Sequence, residues 1–269
     1  MRRERRLAFR SVAQNRGRRE AFRLHGYLAL GCVVGAAALR AMEADAAAAA
    51  ASDCELLARA RAPVNEAQRT SPSQFRRFRA ALLPSGSEEG LPNALLDALL
   101  VELPHAARST WIGRDDAPLF LHNERVVVVV SGGSGDGGDS SGPSWRRDED
   151  EFEMARSAGS GAGAATTLAP SRRRFVSVWT ALGGDDGGGG AKSAAGETMA
   201  LRVVSPLVDG GAFATLHLQR GESVLVRSDV AYAAAQRGGR RRWHVASYSA
   251  VPLAVAGGAP IAFAVTCVR

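Results

Sequence analysis

The stretch that decides the fold is residues 197–255, ETMALRVVSPLVDGGAFATLHLQRGESVLVRSDVAYAAAQRGGRRRWHVASYSAVPLAV. Apolar and other residues alternate after its Asp-Gly-Gly turn, with one side formed by Ala212, Ala214, Leu216 and Leu218 and the other by Phe213, Thr215, His217 and Gln219. A period of two is typical of a half-buried strand. Asp-Gly between apolar runs indicates a hairpin, because glycine adopts the positive φ that tight turns require. The stretch therefore predicts two strands joined at Val208–Gly211 and a third strand at Trp243.

Helical patterns precede the strands along the chain. Leucines at 95, 96, 99, 100 and 103 form an apolar stripe that predicts a helix over 92–102, closed by Pro104. Further helices are predicted at Cys54–Arg61 and around Phe75–Leu82. Strands are predicted at 119–121, 126–130, 172–182 and 261–268, with the five valines buried on both faces and Phe175 and Trp179 as apolar anchors. This order predicts an α+β fold, in which helices pack on one face of a mostly antiparallel sheet.

Two low-complexity segments interrupt the predicted domain, 131–171 and 183–196. Both are rich in glycine, and the first also carries an acidic run, Asp148–Glu151. Such compositions bury too little apolar surface to offset the entropy of ordering. The sequence therefore predicts a soluble α+β domain over 51–269 with disordered insertions at these two places.

The positive charge is confined to the N-terminus. Residues 1–25 carry nine arginines against two glutamates, which accounts for the whole net charge of +7 and leaves the rest neutral. A neutral body argues against nucleic acid as a partner. We interpret 1–24 as a basic, matrix-facing targeting segment and 25–50 as a transmembrane anchor with an alanine-rich spacer. The uncharged run Tyr27–Leu39 is short for a bilayer, so a cleaved signal and a buried helix stay open as alternatives.

Motifs that could carry chemistry are weak. Gly133–Gly138 matches a dinucleotide-binding glycine pattern without a following helix, and Gly187–Ser193 departs from a phosphate-binding loop, because Ala191 precedes Lys192. The histidines are scattered; His217 and His244 could face each other on neighbouring strands. Cys32, Cys54 and Cys267 lack zinc spacing, and Asp115-Asp116 indicates a turn. Arg240–Arg242 is interpreted as a charged hairpin tip. No catalytic, cofactor-binding or metal-binding residue is predicted.

The layout resembles a mitochondrial inner-membrane family, which groups cytochrome c oxidase assembly factor one with the accessory subunit of the presequence translocase. The resemblance combines the basic N-terminus, an anchor, helices, and strands of the pattern V-x-G-G-x-(apolar)-(small)-x-L-x-L followed by R-W-x-(apolar). The residues that carry it are Val208, Gly210, Gly211, Ala214, Leu216, Leu218, Trp243, Val245, Val251, Leu253 and Val255. In that family the tryptophan strand completes the sheet against the helices.

The resemblance implies a non-catalytic protein that assists assembly of a respiratory complex or protein import at the mitochondrial inner membrane. It further implies a soluble domain in the intermembrane space, a single-pass membrane association, and respiratory or translocase subunits as partners. One alternative is a secreted or luminal β-rich binding domain, which pairing of Cys54 with Cys267 would favour. The other is a nucleotide-binding enzyme that uses the glycine segment near Lys192.

Overall fold

The computed structural model describes residues 12–51, 93–130 apart from 115 and 118, 145, 147–149, 175–183, 199–204, 213–235, 240–250 and 263–268. The helices are α1 (Val12–His25), α2 (Ala36–Ala51), α3 (Asn93–Asp97), a π-helix (Ala98–Glu102) and α4 (Leu103–Trp111). The strands are β1 (Tyr27–Gly31), β2 (Phe120–Val130), β3 (Phe175–Leu182), β4 (Met199–Val204), β5 (Phe213–Leu218), β6 (Ser223–Arg227), β7 (Ala231–Ala235), β8 (Arg240–Ser249) and β9 (Phe263–Val268).

The described strands form two sheets. The larger has six strands in the order β1-β6-β3-β8-β2-β9, and the smaller has three in the order β5-β4-β7. Neighbouring strands are antiparallel, except that β2 and β9 run parallel. The mixed helix and largely antiparallel sheet composition that the sequence predicts is therefore confirmed.

The six-stranded sheet is covered on both faces. One face carries Val178 and Ala246 and packs against α1, α2, α3, the π-helix and α4. The other face carries Trp179 and Val245 and packs against the three-stranded sheet, which contributes Leu201 and Tyr232. Because successive side chains of a strand point to opposite faces, the fully buried pattern of β3 serves both cores at once. The protein thus has three layers, helices, large sheet and small sheet.

The segment predicted to be a membrane anchor instead belongs to this body. Tyr27–Gly31 forms strand β1, which pairs with β6, and α2 begins at Ala36. Met42 and Ala46 of α2 lie buried in the helical core. Within the described ranges, no helix is both long and apolar enough to cross a membrane. The anchor prediction is therefore wrong: the apolar residues of this segment are needed for the core.

The helix predicted to end at Pro104 continues through it. The helical path runs from Asn93 to Trp111 and changes from α to π at Ala98 and back to α at Leu103. In a π-helix each N–H donates to the carbonyl five residues earlier, as Leu103 does to Ala98. The matching donor for the Leu99 carbonyl would be Pro104, which has no N–H. Tyr248 of β8 donates its hydroxyl to that carbonyl instead, at 2.8 Å.

The predicted hairpin around residue 210 is correct in its strands. β4 and β5 pair antiparallel, and Leu218 of β5 is buried while Phe213 and His217 are exposed, as the alternation requires. The turn itself, including Val208, Gly210 and Gly211, lies outside the described residues. Trp243 lies in the other sheet, so the third strand of the stretch does not complete the hairpin sheet. β6 and β7 separate the two and are not among the predicted strands.

Several other predictions fall partly or wholly outside the described residues. These are the helices at Cys54–Arg61 and Phe75–Leu82, the glycine segments at 133–138 and 187–193, and most of the two insertions. Asp148 and Glu149 of the first insertion are described, and they form part of a helical turn. The division into domains stays a prediction.

Candidate functional site

A buried carboxylate lies between the two sheets at one end of the molecule. Asp148 is 5% exposed, and its Oδ1 accepts a hydrogen bond from the Tyr232 hydroxyl at 2.8 Å. Its Oδ2 accepts a hydrogen bond from the Ser177 hydroxyl. The Ser177 and Ser247 hydroxyls are 2.8 Å apart. We call Asp148, Ser177, Tyr232 and Ser247 the carboxylate cluster.

The strands place three members of the cluster. Ser177 of β3 and Ser247 of β8 are register partners, so their side chains lie side by side on the face between the sheets. Tyr232 of β7 reaches the cluster from the small sheet, and its ring packs edge-on against Trp179, with centroids 4.7 Å apart. The edge-on aromatic contact fixes the direction of the Tyr232 hydroxyl.

Asp148, the fourth member, lies in the segment between β2 and β3. The Glu149 N–H donates to the Ser228 carbonyl at 3.2 Å, and the Ser228 N–H donates to the Phe175 carbonyl at 3.0 Å. These bonds tie the segment to the large sheet where β3 begins. Burying a carboxylate is unfavourable unless hydrogen bonds compensate it. The Ser177 and Tyr232 hydroxyls supply donors to this carboxyl group, which lies beside a phenol in the interior between the sheets.

Exposed aromatic side chains lie on the solvent-facing side of the small sheet. Trp145 is 38% exposed and Phe213 is 51% exposed, and their ring centroids lie 6.0 Å apart. The Arg202 guanidinium carbon lies 5.2 Å from the centre of the Phe213 ring. We call Trp145, Phe213 and Arg202 the aromatic platform.

A second buried polar group lies on the opposite, helix-covered face of the large sheet. The His244 Nε2 atom is 2.8 Å from Glu124 Oε1, and both side chains are inaccessible to solvent. Within the described part of the chain, His244 Nδ1 has no hydrogen-bond partner. Burial raises the pKa of the neighbouring Tyr248 phenol well above its usual value; the Glu124 charge adds to the rise and the Arg108 charge opposes it. Tyr248 therefore stays a neutral donor.

The residues singled out from the sequence are not brought together as a site. Leu218, Trp243 and Val245 are buried between the sheets, and Leu216 is partly buried beside them. His217 is exposed on the small sheet and His244 is buried in the large sheet, so the two do not face each other. His105 is exposed on α4, and Asp116 forms an exposed ion pair with Arg114. Cys32 is a free, exposed thiol.

Arg242 departs from the predicted charged hairpin tip. It lies within β8 and is 4% exposed, and burial lowers its pKa while the Glu43 charge acts in the opposite direction.

Sequence reasoning missed every member of the carboxylate cluster. Asp148 sits in a run of acids within a glycine-rich segment, where composition predicts disorder. The available signal was Trp145 three residues earlier, since an aromatic residue in such a segment favours packing. Tyr232 follows Val230 at the spacing of a half-buried strand, which could have indicated β7.

Comparisons with known proteins give structural likeness alone. No family model matches the chain, and no curated protein matches it. The chain is similar to the epimerase SnoN in complex with Fe3+, alpha ketoglutarate and nogalamycin RO, with 14% identity, a TM-score of 0.49 and coverage of 96% of this chain and 97% of that one. It is also similar to a non-heme monooxygenase, ThoJ, at 15% identity and a TM-score of 0.45, covering 93% and 87%. A third is a prolyl-4-hydroxylase from Pseudomonas putida at 13% identity and a TM-score of 0.41, covering 87% and 93%.

The predicted family is wrong, because the segment that the resemblance takes as a membrane anchor forms β1 and α2 of the folded body, and no helix of the described residues is able to span a membrane. The predictions of a non-catalytic assembly protein, of a single-pass membrane association and of respiratory or translocase subunits as partners are therefore wrong. The nucleotide-binding alternative gains no support. At these identities and TM-scores no activity, metal or substrate is transferred to this chain. The mitochondrial destination stays a prediction.

The described side chains do not fit the iron that the neighbours' names mention. Non-heme iron of this kind is held by two histidines and one carboxylate. Asp148 is instead bound by two hydroxyls, and Glu124 with His244 supplies two such groups on the other face of the sheet. No group of three histidine, cysteine or acidic side chains able to hold a metal occurs among the residues described.

Proposed function

We propose that the protein is an enzyme that moves a proton at a carbon next to a carbonyl group, with the carboxylate cluster as its catalytic centre. The observation that carries the proposal is the 2.8 Å hydrogen bond between the Tyr232 hydroxyl and Asp148 Oδ1 in the interior between the sheets. A carboxylate and a phenol held together in a buried site supply a base and a hydrogen-bond donor.

The reaction follows from these two groups. Asp148 takes the proton from the substrate carbon, and the electron pair of the broken C–H bond moves through the new C=C bond onto the carbonyl oxygen. The Tyr232 hydroxyl turns its one O–H from Asp148 to that oxygen, where negative charge develops. Return of a solvent-exchanged proton to the same face of the same carbon gives hydrogen exchange. Return to the opposite face inverts the configuration of that carbon. Return to the far end of a conjugated system gives an isomer. Ser177 donates to the carboxylate and is itself hydrogen-bonded to Ser247, which holds the carboxylate in place throughout.

Burial supports this assignment. Hydrogen bonds to a developing charge are worth more where water is excluded than at the surface. The contact of Tyr232 with Trp179 keeps the phenol ring and its oxygen in one place, so only the O–H has to turn at the moment of reaction.

The test is exchange of carbon-bound hydrogen for deuterium, followed by proton NMR in D2O with pyruvate, phenylpyruvate and phenylacetone. We expect the protein to accelerate exchange on at least one of them above buffer. Asp148→Asn should lower the rate by about 10²-fold or more, because the base is lost. Tyr232→Phe should lower it by about 10²-fold, because one donor to the oxyanion is lost.

Asp116→Asn is the matched control, since Asp116 is an exposed aspartate paired with Arg114. It should exchange at the wild-type rate. Wild-type exchange no faster than buffer on all three compounds would contradict the proposal, as would a folded Asp148→Asn protein of full activity.

A further inference from the structure

We infer that α1 attaches the protein to the surface of a membrane rich in anionic phospholipid. The inference goes beyond the proposed function, because α1 packs on the opposite face of the large sheet from the carboxylate cluster. The attachment is peripheral, since the chain directly after α1 forms β1 and α2 of the folded body. The argument uses the charge of the N-terminal segment, the orientation of α1 and the exposure of one leucine.

The net positive charge of the chain lies in α1 and in the residues before it. Residues 1–25 contain nine arginines and two glutamates, whereas the other residues contain 25 basic and 25 acidic side chains. Each basic charge of the N-terminal segment is a guanidinium, since the segment contains no lysine. Guanidinium groups offer planar, paired donors that match phosphate oxygens. The segment therefore suits a surface on which phosphate groups are dense.

Contacts with the body determine which side of α1 faces solvent. Phe22 is 1% exposed and packs in the helical core. The Arg19 guanidinium donates to the Gly113 carbonyl at 3.3 Å, and the Arg227 guanidinium donates to the Arg23 carbonyl at 3.0 Å. These contacts hold α1 by one side and turn the other side outward.

Four exposed residues share the outward side of α1. We call Arg16, Glu20, Arg23 and Leu24 the α1 stripe; they follow the spacing i, i+4, i+7 and i+8 of a single helix face. Arg16 lies 3.5 Å from Glu20 in an exposed ion pair. Such a pair contributes little to stability, so Arg16 can exchange the carboxylate for a phosphate at small cost.

Leu24 favours lipid over other anionic partners. It is 53% exposed beside Arg23, and Leu7 and Phe9 continue the mixture of apolar and arginine residues before α1. A basic helix face with apolar residues is typical of helices that lie in the bilayer interface, where basic groups contact headgroups and apolar groups enter the acyl region. Nucleic acid would bind the arginines but offers no apolar phase to Leu24.

The test is co-sedimentation of the full chain with two kinds of vesicle. One kind is phosphatidylcholine alone, and the other contains about 30% phosphatidylserine, which supplies the negative surface potential. We expect binding to the anionic vesicles and none to the neutral ones. Binding should be lost at about 0.5 M salt, because the Debye length falls to a few ångströms.

Two variants separate the charge from the apolar contact. Arg16→Gln with Arg23→Gln should weaken binding to the anionic vesicles by about 30-fold, since each basic group near such a surface is worth a factor of about five. Leu24→Ser should weaken it by about tenfold, because the inserted apolar group is lost. These three side chains are exposed, so the variants should unfold at the same urea concentration as the wild type.

The matched controls are Arg40→Gln, an exposed arginine on α2, and Val101→Ser, an apolar residue of the π-helix that is 59% exposed. Both should bind the anionic vesicles as the wild type does. Equal binding to the two kinds of vesicle, or wild-type binding by the arginine and leucine variants, would overturn the inference. It would also be overturned if duplex DNA bound more tightly than the vesicles and Leu24→Ser had no effect on either.

Discussion

The Tyr248 hydroxyl serves a carbonyl of the π-helix that has no backbone N–H as its partner. It is fully buried, and it donates to the Leu99 carbonyl, which the π-helix leaves without its usual donor. A buried carbonyl without a partner is costly, because water cannot replace the lost hydrogen bond.

Tyr248→Phe should therefore lower the free energy of unfolding by about 1–3 kcal/mol, measured by urea denaturation at neutral pH. Tyr27→Phe is the control, since Tyr27 is only partly buried and should change stability by less than about 0.5 kcal/mol. An unchanged midpoint in Tyr248→Phe would show that the Leu99 carbonyl is satisfied in another way.

Individual residues differ in how far the sequence predicts them. The burial of Leu218 and the exposure of Phe213 follow from alternation, because a strand with one wet face has a strict period of two. Asp148 could not be predicted in this way. Its burial depends on Ser177 and Tyr232, which are 29 and 84 residues away along the chain, and no local pattern encodes such a meeting.

At the scale of elements, Pro104 is tolerated inside a helical path because the helix changes its hydrogen-bond pattern there. The π-helix shifts the register by one residue just before the proline, and Tyr248 supplies the missing donor. The proline and the tyrosine should therefore be energetically coupled.

A double-mutant cycle tests this coupling. Pro104→Ala restores an N–H that can serve the Leu99 carbonyl, so the cost of Tyr248→Phe should shrink by about 1 kcal/mol in that background. Urea unfolding of the four proteins gives the coupling energy. Strict additivity would mean that the two residues act independently.

The apolar segment 27–39 was predicted to be a membrane anchor, whereas it forms a strand and the start of a helix. Its thirteen uncharged residues have a composition compatible with a short membrane segment, a signal or a buried strand followed by a helix. What decides between them is the partner, and β6, which pairs with β1, lies about 200 residues later. Strands β4 and β5 were easier to predict, since the hairpin partner is adjacent in sequence.

At the scale of the whole molecule, Glu43 links α2 to the turn between β5 and β6. Its carboxylate accepts two hydrogen bonds of 2.6 Å from the Arg220 guanidinium and one of 3.1 Å from the Gly183 N–H. Burial by itself would raise the pKa of Glu43, but the bonds from Arg220 and Gly183 and the charges of Arg220 and Arg242 outweigh it, so the pKa is lowered from 4.5. A lowered pKa means that the folded state favours the ionised form.

The stability that Glu43 contributes therefore depends on pH. An acid with a lowered folded pKa stabilises the protein above its unfolded pKa, and that contribution is lost as the pH falls through the folded value. Glu43→Gln should therefore be less stable than the wild type at pH 7, and the difference should shrink as the pH falls below about 4.5. Urea unfolding at pH 7, 5.5, 4.5 and 3.5 measures it. A difference that is constant with pH would indicate lost packing in place of lost charge.

The pairing of β1 with β6 also bears on how the protein is made. At about 5–20 residues per second, a ribosome needs roughly 10–40 s to add the residues that separate the two strands. During that interval the nascent chain carries Tyr27–Gly31 with an unpaired edge, which invites association with other chains. Arginines precede the strand, among them Arg18 and Arg23, and charged residues in such flanking positions are the kind that limits this association in natural sequences.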